Sequence, residues 1–159
     1  MATSAAPSLV PRDGGVPNAL IVFEHRNARG PMRLLRSGFR HCFCVVGRGD
    51  SWIVCDPLKG SIVLKAVVGH PVEALAAHFA CGGRRVLWGV AAPFPTERLR
   101  VRPVTCVEIV KRLIGLDGPG IFTPYQLFRF LQGARSGLDF RAFEPAPEEH
   151  NFCLDSELK

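Results

Sequence analysis

Residues 39–57 read FRHCFCVVGRGDSWIVCDP, Phe39 to Pro57, and this stretch decides the fold. Two short runs rich in Phe, Val, Ile and Trp, 39–46 and 51–56, flank Gly47-Arg48-Gly49-Asp50, a composition that marks a β-hairpin turn. A turn centred on Arg48-Gly49 pairs His41 with Asp56 and Cys42 with Cys55 across the hairpin. Because side chains alternate along a strand, Phe43, Val45, Trp52 and Val54 share the His41/Asp56 face and form an apolar set suited to a packed helix. An imidazole and a carboxylate then meet at the open end of that face, near solvent but oriented by the sheet.

Working outward, residues 19–24 (ALIVFE) form a continuous apolar run bounded by Pro17-Asn18 and His25-Arg26-Asn27, the pattern of a buried strand, and a Gly/Pro/Arg loop follows. Residues 61–68 (SIVLKAVV) read as another strand after the Pro57-Leu58-Lys59-Gly60 turn, so the first half of the chain forms an antiparallel meander. Apolar spacing with a leading proline predicts a helix over 71–81, stopped by Gly82-Gly83. Residues 85–91 return as a strand, with a further strand expected over 99–104. Two helices close the domain. The first has Thr105 as N-cap, Glu108 at the capping-box position and Val104/Ile109 at the staple positions. The second repeats the device with Thr123, Pro124, Gln126 and a Phe122/Leu127 staple, running to Gln132. The fold class is α+β, an antiparallel sheet packed against a cysteine-bearing helix. Residues 1–18 form an arm, 19–135 the domain, and 136–159 an irregular acidic tail.

Chemistry concentrates at the first of these helices. Cys106 occupies its first position, where free N–H groups and the helix dipole stabilise a thiolate. Cys106, Ile109, Val110 and Leu113 fall on one stripe, and Glu108, Lys111 and Arg112 on another, so the apolar stripe is expected to pack on the hairpin and bring the thiol to His41. Cys106 is then the nucleophile, His41 the general base and acid, and Asp56 the group that orients the imidazole, with the Cys106 N–H as oxyanion donor. His25, beside Glu24, is the reserve base, and Tyr125 and Gln126 are candidate cleft residues. His70, His78 and His150 read as surface residues.

On these residues the chain resembles the circularly permuted relatives of NlpC-type cysteine peptidases, which share a papain-like core. The resemblance covers roughly residues 20–131, and its specific residues are His41 in FRHCFCVVG, Asp56 in WIVCDP and Cys106 in TCVEIVKRLIG. In the unpermuted form the cysteine helix precedes the histidine strand, whereas here the order is strand, strand, helix. Members typically carry Ser-Gly after the cysteine, where this chain has Val107-Glu108. The resemblance implies a permuted papain-like fold and a cysteine peptidase or amidase acting on cell-wall peptide. Lecithin retinol acyltransferase-like proteins share the order, which implies lipid-type acyl transfer as an alternative; they usually have a second histidine where this chain has Asp56. Similar short permuted proteins occur on phage genomes, sometimes near tail or virion genes, which implies a virion-associated role. A catalytically silent docking component is the non-enzyme form of that role, its partner bound through the arm or the tail.

Length and composition bound these readings. At 159 residues and 47% hydrophobic content the chain can bury one sizeable core. The N-terminal residues lack the basic and apolar regions of a signal peptide, and no window approaches the roughly 20 apolar residues of a spanning helix. Synthesis in the cytoplasm is the expectation, with the six cysteines as free thiols. No C-x-x-C pairs of a zinc site occur, so no metal and no cofactor are expected. The net charge of +6 is uneven: residues 139–159 hold six acidic and two basic side chains, against eight acidic and eighteen basic before them. That basic body carries no motif of sequence-specific nucleic-acid recognition. The acidic tail with Phe140, Phe143 and Phe152 suits a basic partner.

Overall fold

A computed structural model describes residues 16–27, 30–92, 103–133 and 137–145. The fold is α+β: six strands in one antiparallel sheet, with three helices divided between its two faces. The strands are β1 (Ala19–Glu24), β2 (His41–Arg48), β3 (Ser51–Leu58), β4 (Ser61–Val68), β5 (Arg85–Gly89) and β6 (Phe140–Ala142). They lie in the order β4-β3-β2-β1-β5-β6. The helices are α1 (Val72–Ala80), α2 (Cys106–Leu113) and α3 (Pro124–Gln132), and a short 3₁₀ turn, Gly30–Leu34, interrupts the loop after β1. Residues 1–15, the arm's greater part, lie outside the described residues. So do residues 99–102 of the further strand expected over 99–104, His150 and Phe152.

The hairpin forms, but two residues out of the expected register. Cys44 pairs with Cys55, Val45 with Val54, Gly47 with Trp52 and Arg48 with Ser51, so the turn is Gly49-Asp50 and His41 is not directly opposite Asp56. The reason lies in Gly47. A Cβ there would stand 2.3 Å from the Ser51 carbonyl and 2.8 Å from the Trp52 ring, so Gly47 is a strand residue whose bareness admits the cross-strand indole. Gly49, at φ +64°, supplies the positive φ that a two-residue turn with glycine first requires. The Cys42–Cys55 pair is correspondingly replaced by Cys44–Cys55.

Each sheet face has its own core. Phe43, Val45, Trp52, Val54 and Val67 pack with Val72, Leu75, Ala76 and Phe79 of α1. The expected apolar hairpin face is therefore buried, but under α1. The cysteine helix takes the other face, where Val107, Val110 and Ile114 pack on Ile21, Phe23, Cys42 and Cys44 with Leu127 and Leu131 of α3. Its buried side differs from the expected stripe, because Lys111 is only 2% exposed and Glu108 is buried beside it. Lys111 Nζ lies 2.9 Å from Glu108 Oε2, and this pairing lets both charges leave water. Arg112 Nε approaches the other Glu108 oxygen at 3.4 Å.

Residues beyond 136 are not wholly irregular. Phe140–Ala142 pairs with β5 through Gly89↔Phe140 and Leu87↔Ala142, and Gly89 has no room for a side chain against the Asp139 carbonyl. Phe140 is buried in the α2/α3 core and Phe143 packs edge-on against Trp88, so these two rings serve the chain's own fold. Neither hydrophobic staple closes: Val104 and Phe122 are 78% and 73% exposed. His78, expected at the surface, is buried among α1's core-facing residues. Among the described residues no helix is long and apolar enough to cross a membrane.

Candidate active site

β2 begins at His41, and because this is the strand's first residue its ring lies at the open end of the sheet. There His41 Nε2 meets Asp56 Oδ1 at 2.6 Å. The two-residue register shift keeps parity, so the pair stays on one face and contacts diagonally instead of directly. Asp56's second oxygen accepts a hydrogen bond from Arg26 Nη2 at 2.8 Å. Arg26 also bonds Glu24, which Arg84 Nε approaches at 3.4 Å. The carboxylate is thus held at both oxygens, one by the imidazole and one by a guanidinium.

Cys106 enters from the other side of the sheet's end. Thr105 ends the approach in an extended conformation, and its Oγ1 accepts from the Glu108 N–H at 3.2 Å, which sets the first turn and places the thiol at its start. The half-buried sulfur lies close enough to the His41 ring and to the thiol and backbone of Cys42 for both residues to act on its charge. Since Nε2 of His41 is committed to Asp56, Nδ1 is the nitrogen left for the sulfur. The three residues singled out by sequence therefore converge.

The electrostatics favour an ion pair. The Cys106 thiol is drawn down to about 4: the Cys42 thiol's hydrogen bond lowers it most, burial opposes, and hydrogen bonds from His41 and the Cys42 N–H overcome that opposition together with the imidazolium charge. His41 is pushed up to about 9, because burial, which disfavours its charge, is outweighed by hydrogen bonds to Asp56 and Cys106. Asp56 lies below its ordinary value; burial raises it, but hydrogen bonds and charges from His41 and Arg26 prevail. Burial, first, and the bond to Cys106 hold the Cys42 thiol well above its usual range. At neutral pH the assembly is thiolate, imidazolium and carboxylate in a row.

The sulfur is reachable. A cleft of about 370 Å³, open to solvent, is bounded by Pro57 and Ile62 on the β3–β4 hairpin and by Val104, Thr105, Cys106 and Ile109 on the helix side. That volume falls in the usual range of small-molecule sites, about 300–1,000 Å³. Its position lets a carbonyl approach Cys106 without displacing the core.

Other candidates fall away from this centre. His25 Nδ1 faces Ser37 Oγ at 3.3 Å in an exposed position, far in function from the thiol. Tyr125 stacks under Arg36, 4.1 Å from guanidinium to ring, and against Phe39; Gln126 is spent on capping α3. Neither lines the cleft. Two site residues were not legible in advance: Arg26, which reaches Asp56 from beyond β1, and Cys42, the thiol donor. For Cys42 a signal existed in its adjacency to His41. For Arg26 none did, since strand order alone brings it near β3. Among the described residues no three His, Cys, Asp or Glu side chains converge as metal ligands. No family model matches the chain, and neither a curated protein nor a solved structure matches it.

Proposed function

We propose that this protein is a cysteine-dependent hydrolase that cleaves an amide bond, built on a permuted papain-like core and acting on cell-wall peptide. The observation that carries the reading is the Cys106 sulfur at a helix start, beside an imidazole that Asp56 holds from the next strand and at the edge of an open cleft. In the resting pair the thiolate attacks the carbonyl carbon, and the oxyanion that develops is stabilised by the Cys106 backbone N–H. The His41 imidazolium then gives its proton to the departing amine, leaving an acyl thioester on Cys106. Neutral His41 next takes a proton from water, the resulting attack releases the acid, and the sulfur returns as thiolate. Asp56, fixed by Arg26, keeps the ring's tautomer and direction through both steps.

The order of elements supports the core assignment: histidine strand, carboxylate strand, then cysteine helix. The test is turnover of a purified cell-wall fragment, with Cys106→Ala as control. Release of new amine termini by the native protein and none by the variant supports hydrolysis. Equal labelling of both by iodoacetamide at pH 6 would remove the nucleophile from the mechanism.

A further inference from the structure

β4 lies at one edge of the sheet, and among the described residues only β3 pairs with it. Its outward N–H and C=O groups are therefore a ready template for another strand. Natural edges are usually blunted by shortness, proline, a bulge or an inward charge. The opposite edge follows that rule, since β6 is three residues long. β4 does not. It runs for eight residues without proline, its register against β3 is unbroken from Ser61 to Val68, and Lys65 is its one charged residue. Ile62, Leu64 and Val68 on the α2 side are 52%, 68% and 66% exposed, and Ile53 beside them on β3 is half exposed. With the strand's backbone this strip offers on the order of 600 Å², the share each copy contributes to the smallest stable interfaces, roughly 1,200 Å² in total.

The order of side chains along the strand selects the partner. Two identical strands running antiparallel are self-complementary about a two-fold axis. Where that axis stands perpendicular to the sheet, each face stays continuous, and facing residues are both even-numbered or both odd-numbered. Two such registers engage nearly the whole strand, residues 61–67 centred on Leu64 or residues 62–68 centred on Lys65. The second sets the two Lys65 side chains directly opposite each other, which like charge disfavours. The first sets Leu64 against the partner's Leu64 and, twice over, the large Ile62 against the partner's small Ala66 and Lys65 against the partner's Val63. Turning one copy over would instead lay Lys65 on Leu64 of the apolar strip.

We propose that β4 pairs antiparallel with β4 of a second copy of the chain, about a two-fold at Leu64. In that dimer the partner's Ala66 faces Ile62 and the partner's Val68 comes opposite Gly60. Ile62 and Gly60 line the cleft at Cys106, so each copy supplies an apolar wall to the other's cleft. The pairing follows from the sheet alone and holds whether or not Cys106 is a nucleophile.

Light scattering of the full chain over about 1–200 µM is expected to give twice the chain mass at the upper end and to fall on dilution, as so small an interface implies. Leu64→Asp brings two carboxylates together at the axis and is expected to leave a monomer at every concentration. Leu34→Asp removes an exposed apolar side chain from the loop after β1 and is expected to leave the dimer intact. Leu64→Cys reads the register: mild oxidation is expected to join its two copies covalently, while Val68→Cys, opposite Gly60, stays as unjoined as the native chain treated alike. The reverse pattern overturns the register. A monomer at every concentration overturns the proposal, and if that monomer sediments with phosphatidylcholine vesicles while Leu64→Asp does not, a bilayer covers the strip instead. A dimer that Leu64→Asp leaves intact overturns it too, the copies then meeting elsewhere. Should Leu64→Asp misfold, the Leu64→Cys crosslink decides alone, and its absence overturns the pairing.

Discussion

Helices α2 and α3 start from one sequence device, Thr105-Cys106-Val107-Glu108 in the first and Thr123-Pro124-Tyr125-Gln126 in the second, yet their first turns are finished differently. At α3 the box closes on itself: Thr123 Oγ1 accepts from the Gln126 N–H at 3.2 Å, and Gln126 Oε1 accepts from the Thr123 N–H at 3.0 Å. Pro124 occupies the first position and donates nothing. At α2 the Thr105 half forms, but Glu108 turns away to Lys111 and Arg112, and a thiol stands where α3 has proline. One helix start spends its polar groups on stability. The other sends its acid into the core and keeps its positive end for a sulfur. A negative Glu108 folded back over the cap would have stood near the thiolate and opposed it, so its removal to Lys111 serves the charge at Cys106.

The largest effect follows from exchanging what the two first positions hold. Cys106→Ala is expected to abolish pH 6 alkylation and substrate turnover altogether, whereas Pro124→Ala leaves both unchanged; mass spectrometry of the iodoacetamide-treated proteins reads the difference. Next comes the fate of the two third residues. Glu108→Ala strands the Lys111 ammonium in the core and is expected to cost about 3 kcal/mol in urea unfolding. Gln126→Ala loses an exposed capping bond and costs under about 1 kcal/mol. Equal losses for the two variants would mean that the Glu108–Lys111 pair carries no special burden.

How far these differences were legible follows from what each depends on. β1 and β4 could be delimited from the chain alone, because mostly apolar stretches of six and eight residues ended by turn residues leave little choice. The hairpin's register could not, since Gly47 reads as turn composition and only the Trp52 ring opposite explains it as strand. That error was harmless to the site, because a slip of two restores the same face and leaves His41 within reach of Asp56. The face of α2 was misjudged for a different reason. Counting apolar positions places Lys111 in solvent, and only its pairing with Glu108 permits the burial that turns the helix. Arg26 was invisible because its link to Asp56 spans β2, a relation set by strand order and not by spacing.

The pH profile sharpens the contrast by about tenfold steps. Cys106 gains its proton only as pH falls through about 4, and His41 loses its proton only as pH rises through about 9. Turnover is therefore expected to form a plateau between these limits, falling tenfold per unit on the acid side as thiolate disappears, and falling again on the basic side as the proton for the leaving amine is lost. Asp56→Asn weakens the hydrogen bond that helps raise His41. Its basic limb should move downward, with turnover at pH 8 reduced about tenfold, while the acid limb survives. A basic limb that stays at about 9 in this variant would show that Asp56 orients the ring without tuning it.

The smallest expected effect is also the most direct comparison of the two caps. Thr105→Ala and Thr123→Ala each remove a hydroxyl that accepts a first-turn N–H, and each is expected to lower stability by about 1 kcal/mol in denaturant unfolding. Their consequences for the sulfur should differ. Loss of the Thr123 cap frays a helix start that touches no reacting group, so alkylation of Cys106 keeps its pH dependence. Loss of the Thr105 cap loosens the turn that points the thiol at His41 and Cys42, which weakens the hydrogen bonds that draw it down. The acid limb of alkylation should then shift upward from about 4 in Thr105→Ala alone. If both variants lose stability and neither limb moves, the helix start holds Cys106 in place only as a scaffold, and the thiolate is stabilised by its side-chain neighbours without help from the cap.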